Sequence, residues 1–171
     1  TPDSALQATA VYGCVRILAE TLGMIPLNVF KRGENNSRSK ATDHPLHKLL
    51  HDSPNERQTS IEFREMLMGH LALRGNAYAQ IIFAKNGSVM ELRPIHPDHI
   101  ELKVLDEMRW FYSYRSPISN KNFNLRSDEV LHLKGVSLDG WTGLSPIDTL
   151  RDVVGATMAA DEHSARFFGN N

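Results

Sequence analysis

Between residues 44 and 83 the apolar positions switch from helical to alternating spacing, and residues suited to capping stand at each switch. Asp43 or His44 can cap a short helix with Pro45 in its first turn and Leu46, Leu49 and Leu50 on its inner side. Ser53, Pro54 and Asn55 end that helix, because the residue before a proline resists helical geometry. A second helix is predicted after Thr59, whose hydroxyl and the Glu62 carboxylate three residues on can each satisfy an orphan backbone N–H, a cap worth roughly 1 kcal/mol. Phe63, Met66, Leu67, His70 and Leu71 share one face of it, with His70 at the edge of the core. Gly75 supplies the left-handed residue that stops the helix, and residues 76–83, rich in aromatic and branched side chains, read as a strand.

On either side of this stretch the pattern is equally divided. Residues 4–22 predict an opening helix with Ser4 and Gln7 as a capping box. Leu6, Ala10, Val11, Cys14, Val15, Ile17, Leu18 and Leu22 are spread almost all round it, which calls for a largely buried helix. Residues 27–31 alternate like a strand, and residues 33–42, crowded with Asn, Ser, Lys and Arg, read as a mobile loop. Asn86 and Gly87 mark a hairpin turn between residues 80–84 and 89–93, since both tolerate positive φ. Further strands are predicted over residues 100–105, 110–115 and 130–134. Ser145, Pro146 and Asp148 then open a final helix over residues 145–168. The fold class that follows is α+β, mainly an antiparallel sheet or meander flanked by helices and ending in a long helix. It forms a single domain over 1–171, with the opening helix at 4–22, helices within 44–73 and strands within 76–134.

Composition narrows the class more than the chemistry. A chain of 171 residues with 41% apolar and 23% charged residues can bury about 70% of its unfolded surface, and no apolar run approaches the roughly 18 residues of a bilayer span. The first residues show no secretory signal pattern. The single cysteine, Cys14, excludes an intrachain disulfide and is expected as a small core residue. A net charge of -1 argues against a dedicated duplex binder, which needs a strong basic excess.

Several residue sets invite a chemical reading. His44, His47 and His51 fall near one helical face but lack the cysteine or carboxylate partners of a zinc site, so an exposed polar face is expected and no metal or cofactor. The loop over residues 135–143 has glycines but no following lysine and hydroxyl, which disfavours ATP. Its Trp141 is expected as a packing anchor or an intersubunit contact. His132, Asp139 and Ser145 could form a hydrolytic triad, yet Ser145 is better explained as a helix cap. Asp161, Glu162 and His163 are adjacent on a helix and point about 100° apart, so they read as a solvated face. The alternatives kept open are a small hydrolase or nuclease using the His132 to Ser145 region, and a nucleic-acid module using Lys31, Arg32, Arg38 and Lys40. Little or no DNA binding by the isolated chain is expected.

Taken in order, the VYGCVRILAETLGMIPLNVFKR run over residues 11–32, His44-Pro45-Leu46, Ser53-Pro54-Asn55 and Gly75-Asn76-Ala77-Tyr78 resemble the portal proteins of tailed bacteriophages. The series continues through Gly87, Glu91-Leu92, Pro94-Ile95, residues 130–134, Gly143-Leu144-Ser145-Pro146 and Phe167-Phe168-Gly169-Asn170. The branch resembled is the one that accompanies cross-linked, chain-mail capsids. The resemblance implies a non-catalytic subunit of a homo-oligomeric, dodecameric ring at one capsid vertex, located in the virion and in the host cytoplasm during assembly, of phage or prophage origin. Its partners would be the major capsid protein, the terminase that pumps double-stranded DNA through the channel, and the tail adaptor, with weak DNA contact and no membrane. Full portals continue past the position of Asn171 into stem and clip, so the chain is expected to be the wing portion. The candidate subunit-interface residues are Trp110, Phe111 and Tyr112 on one strand and Trp141 on its loop, because aromatic residues are enriched at interface cores.

Overall fold

The computed structural model describes Leu6 and residues 9–106, 108–151 and 159. In chain order the elements begin with α1 (Thr9–Met24), a hairpin of β1 (Phe30–Arg32) and β2 (Arg38–Lys40), and α2 (Pro45–His47), which continues into a π-helical turn (Lys48–Asp52). Then come α3 (Ser60–Arg74), β3 (Asn76–Phe83), β4 (Val89–Ile95), β5 (Ile100–Asp106), β6 (Arg109–Arg115), β7 (Asn122–Arg126), β8 (Val130–Lys134) and α4 (Pro146–Thr149).

The punctuation works as the sequence dictates. The His44 ring accepts from the Leu46 N–H, and Thr59 and Glu62 form a reciprocal capping box at the start of α3. Gly75 at φ 72 ends α3, and Gly87 at φ 81 turns β3 into β4. Asp98 then fastens the far end of α3. Its carboxylate receives both arms of the buried Arg74 guanidinium at 2.8 and 2.9 Å, and those hydrogen bonds hold its pKa below the usual carboxylate value.

All strand pairing is antiparallel, but the meander is divided. β4, β3 and β8 form one sheet and β5, β6 and β7 another, because β8 returns to pair along β3, with Gln80 opposite Val130 and Asn76 opposite Lys134. Alternation along β3 then decides both cores. Ala77 and Ala79, fully buried, face α3 together with Phe63, Leu67 and Leu92, and their small size lets the helix lie close. Tyr78 points the other way, into a core with Ile95, Ile100, Tyr112, Leu125 and Val130 between the two sheets. The result is a stack of α1, α3, first sheet and second sheet.

Three points differ from expectation: the burial of the opening helix, the pairing within residues 33–42, and β7. The opening helix begins at Thr9 among the described residues, and it is not buried all round: α1 lies against α3 along Val11, Val15 and Gly23, while Cys14 is exposed rather than in the core. Among the described residues its covered stripe meets α3 and Ile147, and a helix covered on one side buries only that stripe. Residues 33–42 are not simply a loop, since Arg38–Lys40 pairs with Phe30–Arg32 as a ribbon. β7 was not expected, although Phe123 and Leu125 alternate with asparagines as a strand should. The final helix is described over Pro146–Thr149, with its Ser145 cap and first-turn proline as expected, and the expected stretch beyond Arg151, including Asp161, Glu162 and His163, lies outside the described residues apart from Ala159.

Candidate functional site

Among the described residues, a dense set of polar contacts lies at the corner where α3 becomes β3. The Gly75 carbonyl accepts from the Gly135 N–H at 2.8 Å, and the next side chain, Asn76, holds the far end of the same loop. Its Oδ1 accepts from the Gly143 N–H at 2.8 Å while its Nδ2 donates to the Gly143 carbonyl at 2.8 Å and the Arg74 carbonyl at 3.2 Å. A side-chain amide thereby replaces a missing strand partner. The Ser145 hydroxyl donates to the Leu73 carbonyl and accepts from the Asp148 N–H, both at 3.2 Å, so the loop and α4 are fixed to the end of α3. Main chains meet here so closely that a Cβ on Gly143 would stand 2.0 Å from the Gly75 carbonyl oxygen.

His132 extends this network. Because both Gly143 contacts fix the Asn76 amide with Oδ1 toward the ring, His132 Nε2 carries the proton and donates at 2.9 Å, leaving Nδ1 to accept from the Tyr112 hydroxyl at 3.2 Å. Tyr78 stacks on the imidazole with ring centres 4.3 Å apart. Burial, and secondarily Lys134, lowers the His132 pKa from 6.5 to about 4, and burial raises that of Tyr78 to about 12. The unfolded chain therefore binds a proton between pH 6.5 and 4 that the folded chain refuses, so stability present above pH 6.5 is lost as pH falls toward 4. His70, also lowered to about 4 chiefly by burial, adds to the same trend. The urea midpoint is expected to fall between pH 7 and pH 5, and His132→Gln to remove part of that fall. A midpoint constant over this range would contradict the neutral-histidine network.

None of the residues proposed for a triad meets the others as one requires. His132 has both nitrogens engaged, Ser145 is a cap, and the Asp139 carboxylate accepts from the N–H groups of Trp141 and Thr142 at 2.8 and 3.0 Å. His44 is likewise a cap, while His47 and His51 stack with ring centres 4.9 Å apart and His51 pairs with Asp52. Among the described residues no group of three or more His, Cys, Asp or Glu is placed to hold a metal.

Of the four aromatic residues singled out from sequence, the three on β6 divide by strand parity. Trp110 and Tyr112 turn inward on β6, with Tyr112 buried between the sheets, whereas Phe111 lies on the outer side. Trp141 meets Trp110 edge to face at 5.3 Å. Exposed apolar residues cluster on the two segments joined by that contact, the β5–β6 turn and the 135–143 loop, with Met108 86% and Leu138 84% exposed beside Leu105 and Val136. A second apolar surface is the open side of α1, where Ile17 is 66% and Met24 70% exposed beside Leu18, Leu22 and Ile25. Both surfaces are unusual for an isolated soluble chain.

Sequence reasoning missed Asn76 and Arg64 as key side chains. Arg64 is buried on the inner side of α3 and donates to the Gly23 carbonyl at 2.7 and 3.2 Å and to the Leu50 carbonyl at 3.1 Å, tying the end of α1 to α3. Its signal was a charged residue next to Phe63 in the apolar phase of the helix. For Asn76 the signal was its place directly after the stop glycine.

The family model described as Phage portal protein matches residues 9–171. The chain belongs to the phage portal protein family. The portal protein of Enterobacteria phage HK97 is 32% identical over 169 residues, which cover 98% of this chain and 39% of that protein. Protein BeeE of Escherichia coli (strain K12) is 40% identical over 106 residues, covering 62% of this chain and 66% of that one. Among solved structures, a chain in the neck of the native GTA particle computed with C12 symmetry superposes with a TM-score of 0.76 at 21% identity, covering 99% of this portal chain and 45% of that chain. The chain thus spans about two fifths of the length of its HK97 relative. The portal fold is therefore α+β with antiparallel sheets, and no described helix is long and apolar enough to cross a membrane.

Proposed function

We propose that this portal chain is the wing portion of a structural subunit, which assembles head to tail with copies of itself into the ring at a capsid vertex through which DNA is packaged and ejected. The observation that carries this reading is the pair of unlike apolar surfaces on different layers of the stack, the open side of α1 and the tip around Trp110 and Trp141. A closed ring needs a heterologous contact, one patch meeting a different patch on the next copy, and a C12 neck containing a chain of the same fold supports twelve copies. Phe111 and Trp141 are the aromatic contacts on the tip side, with Trp110 acting through Trp141. Tyr112 supports them from the core.

In this role the subunit works by shape, not by bond-making side chains. The hub at Asn76 holds the 135–143 loop rigid, and Arg64 does the same for α1, so both surfaces are presented in fixed relation. Capsid protein, terminase and tail adaptor would meet other parts of the ring, in the virion and, during assembly, in the host cytoplasm.

The test is the mass in solution of a longer chain extended to the length of its relatives. The ring is expected from the parent sequence, while Ile17→Asp with Met24→Asp on one side, or Met108→Asp with Leu138→Asp on the other, is expected to leave single subunits with an unchanged urea midpoint. These substitutions remove apolar contacts worth about 2 kcal/mol or more per anchor across an interface. Rings of normal mass from both double variants would overturn the assignment of these surfaces.

A further inference from the structure

We propose, against the expectation that the net charge of the whole chain sets, that the β1–β2 ribbon is a contact element for the phosphate backbone of duplex DNA. Every residue of both strands is exposed, so the ribbon projects from the stack. Its register sets Phe30 opposite Lys40 and Arg32 opposite Arg38, and pairs directly opposite each other lie on one face. That face therefore carries three cations around an exposed phenylalanine, with Lys31 on the reverse beside Ser39.

Two arginines directly opposite repel, and a β-ribbon keeps such a pair at a cost unless an anion lies against it. None of Lys31, Arg32, Arg38 and Lys40 has an ion-pair partner among the described residues. Residues 30–40 hold these four cations against Glu34, a balance of +3, within a chain of net charge -1, so the rest carries -4. Charge is concentrated where the chain protrudes. The tip adds Asn35 and Asn36 at φ 54 and 61, which present amide donors and no apolar surface.

A polyanion fits this face better than a protein. A three-residue ribbon offers little area for shape matching, whereas a regular line of phosphates needs only cations at strand spacing. A two-stranded ribbon is also of a width that the major groove of duplex DNA, about 12 Å, admits. Three or four charges give weak, salt-labile binding. The inference stands on the ribbon alone and does not require the ring.

The experiment is the fluorescence anisotropy of a labelled DNA duplex titrated with this chain between 50 and 200 mM salt. With three phosphates neutralised, the slope of log K against log salt is expected near -2.7, roughly a 40-fold loss of affinity over that range. Arg32→Gln with Arg38→Gln is expected to bring the slope to about -1 at an unchanged urea midpoint, while Arg109→Gln on the second sheet leaves it as it was. Absence of binding at 50 mM salt, or a double variant that binds like the parent, would overturn the proposal. So would tighter binding of polyglutamate than of a duplex of equal charge, which would assign the ribbon to an acidic protein.

Discussion

Gly75→Ala is expected to lower the stability of the chain by about 4 kcal/mol, read as the urea midpoint at constant slope. Two costs combine. The residue ends α3 at φ 72, where a side chain meets its own backbone at roughly 1 to 2 kcal/mol. The added Cβ would also stand 1.9 Å from the Leu144 carbonyl oxygen and 3.0 Å from that of Gly143, both main-chain atoms of a loop pinned by Asn76. That loop cannot yield without breaking the Asn76 and Ser145 hydrogen bonds, so the overlap becomes lost structure. Gly87 supplies the control, since it has φ 81 but nothing within 4 Å of a built Cβ. Gly87→Ala should cost only about 1 kcal/mol. Equal losses at the two positions would mean that backbone conformation alone, and not the junction of two main chains, makes Gly75 necessary. A domain of this kind has about 5 to 15 kcal/mol in total, so the Gly75 variant should lose roughly a quarter to four fifths of its stability.

Arg64→Ala is expected to cost about 3 kcal/mol and to release α1. The guanidinium satisfies two carbonyls, those of Gly23 and Leu50, with hydrogen bonds of 2.7 to 3.2 Å, and charged donors of this kind contribute about 1.5 to 3 kcal/mol each. Alanine would leave both acceptors unmatched in a place that water does not readily reach. Arg64→Lys keeps the charge but not the planar fork, so it should recover less than half of the loss. The distinguishing measurement is amide hydrogen exchange in α1, which should accelerate in both variants while α3 and β3 keep their protection. Unchanged exchange in α1 would show that Arg64 serves α3 alone. Because the open side of α1 is one half of the proposed subunit contact, loss of ring assembly in the longer chain should follow from the same substitution.

The two substitutions mark different degrees of legibility. Gly75 could be read directly, as could the Thr59 and Glu62 box, the His44 cap and the Gly87 turn, because each is a local arrangement in which four or five consecutive residues satisfy one another. Arg64 and Asn76 were not legible as key side chains, since their partners Gly23 and Gly143 lie 41 and 67 residues away. The ordered series of family-like segments was equally local in its parts and was matched by the family model over residues 9–171. His132 and Ser145 show the reverse case: their types suggested chemistry, and only their surroundings assign them to a hydrogen-bonded hub.

What the sequence by itself determined was the run of helices and strands apart from β2 and β7, most of their stops, the antiparallel character and the portal family, because capping, turn geometry and side-chain period act within a few residues. The tertiary structure decided how those elements share their apolar faces. Alternation along β3 was visible, but not that β8 rather than β7 would pair with it and split the strands into two sheets. In the same way the apolar residues all round α1 were visible, and the sequence alone argued for burial. Among the described residues α1 is covered along one stripe, by α3 and Ile147, and is open elsewhere, for a physical reason no local pattern contains: burial depends on which elements arrive, not on how apolar the helix is.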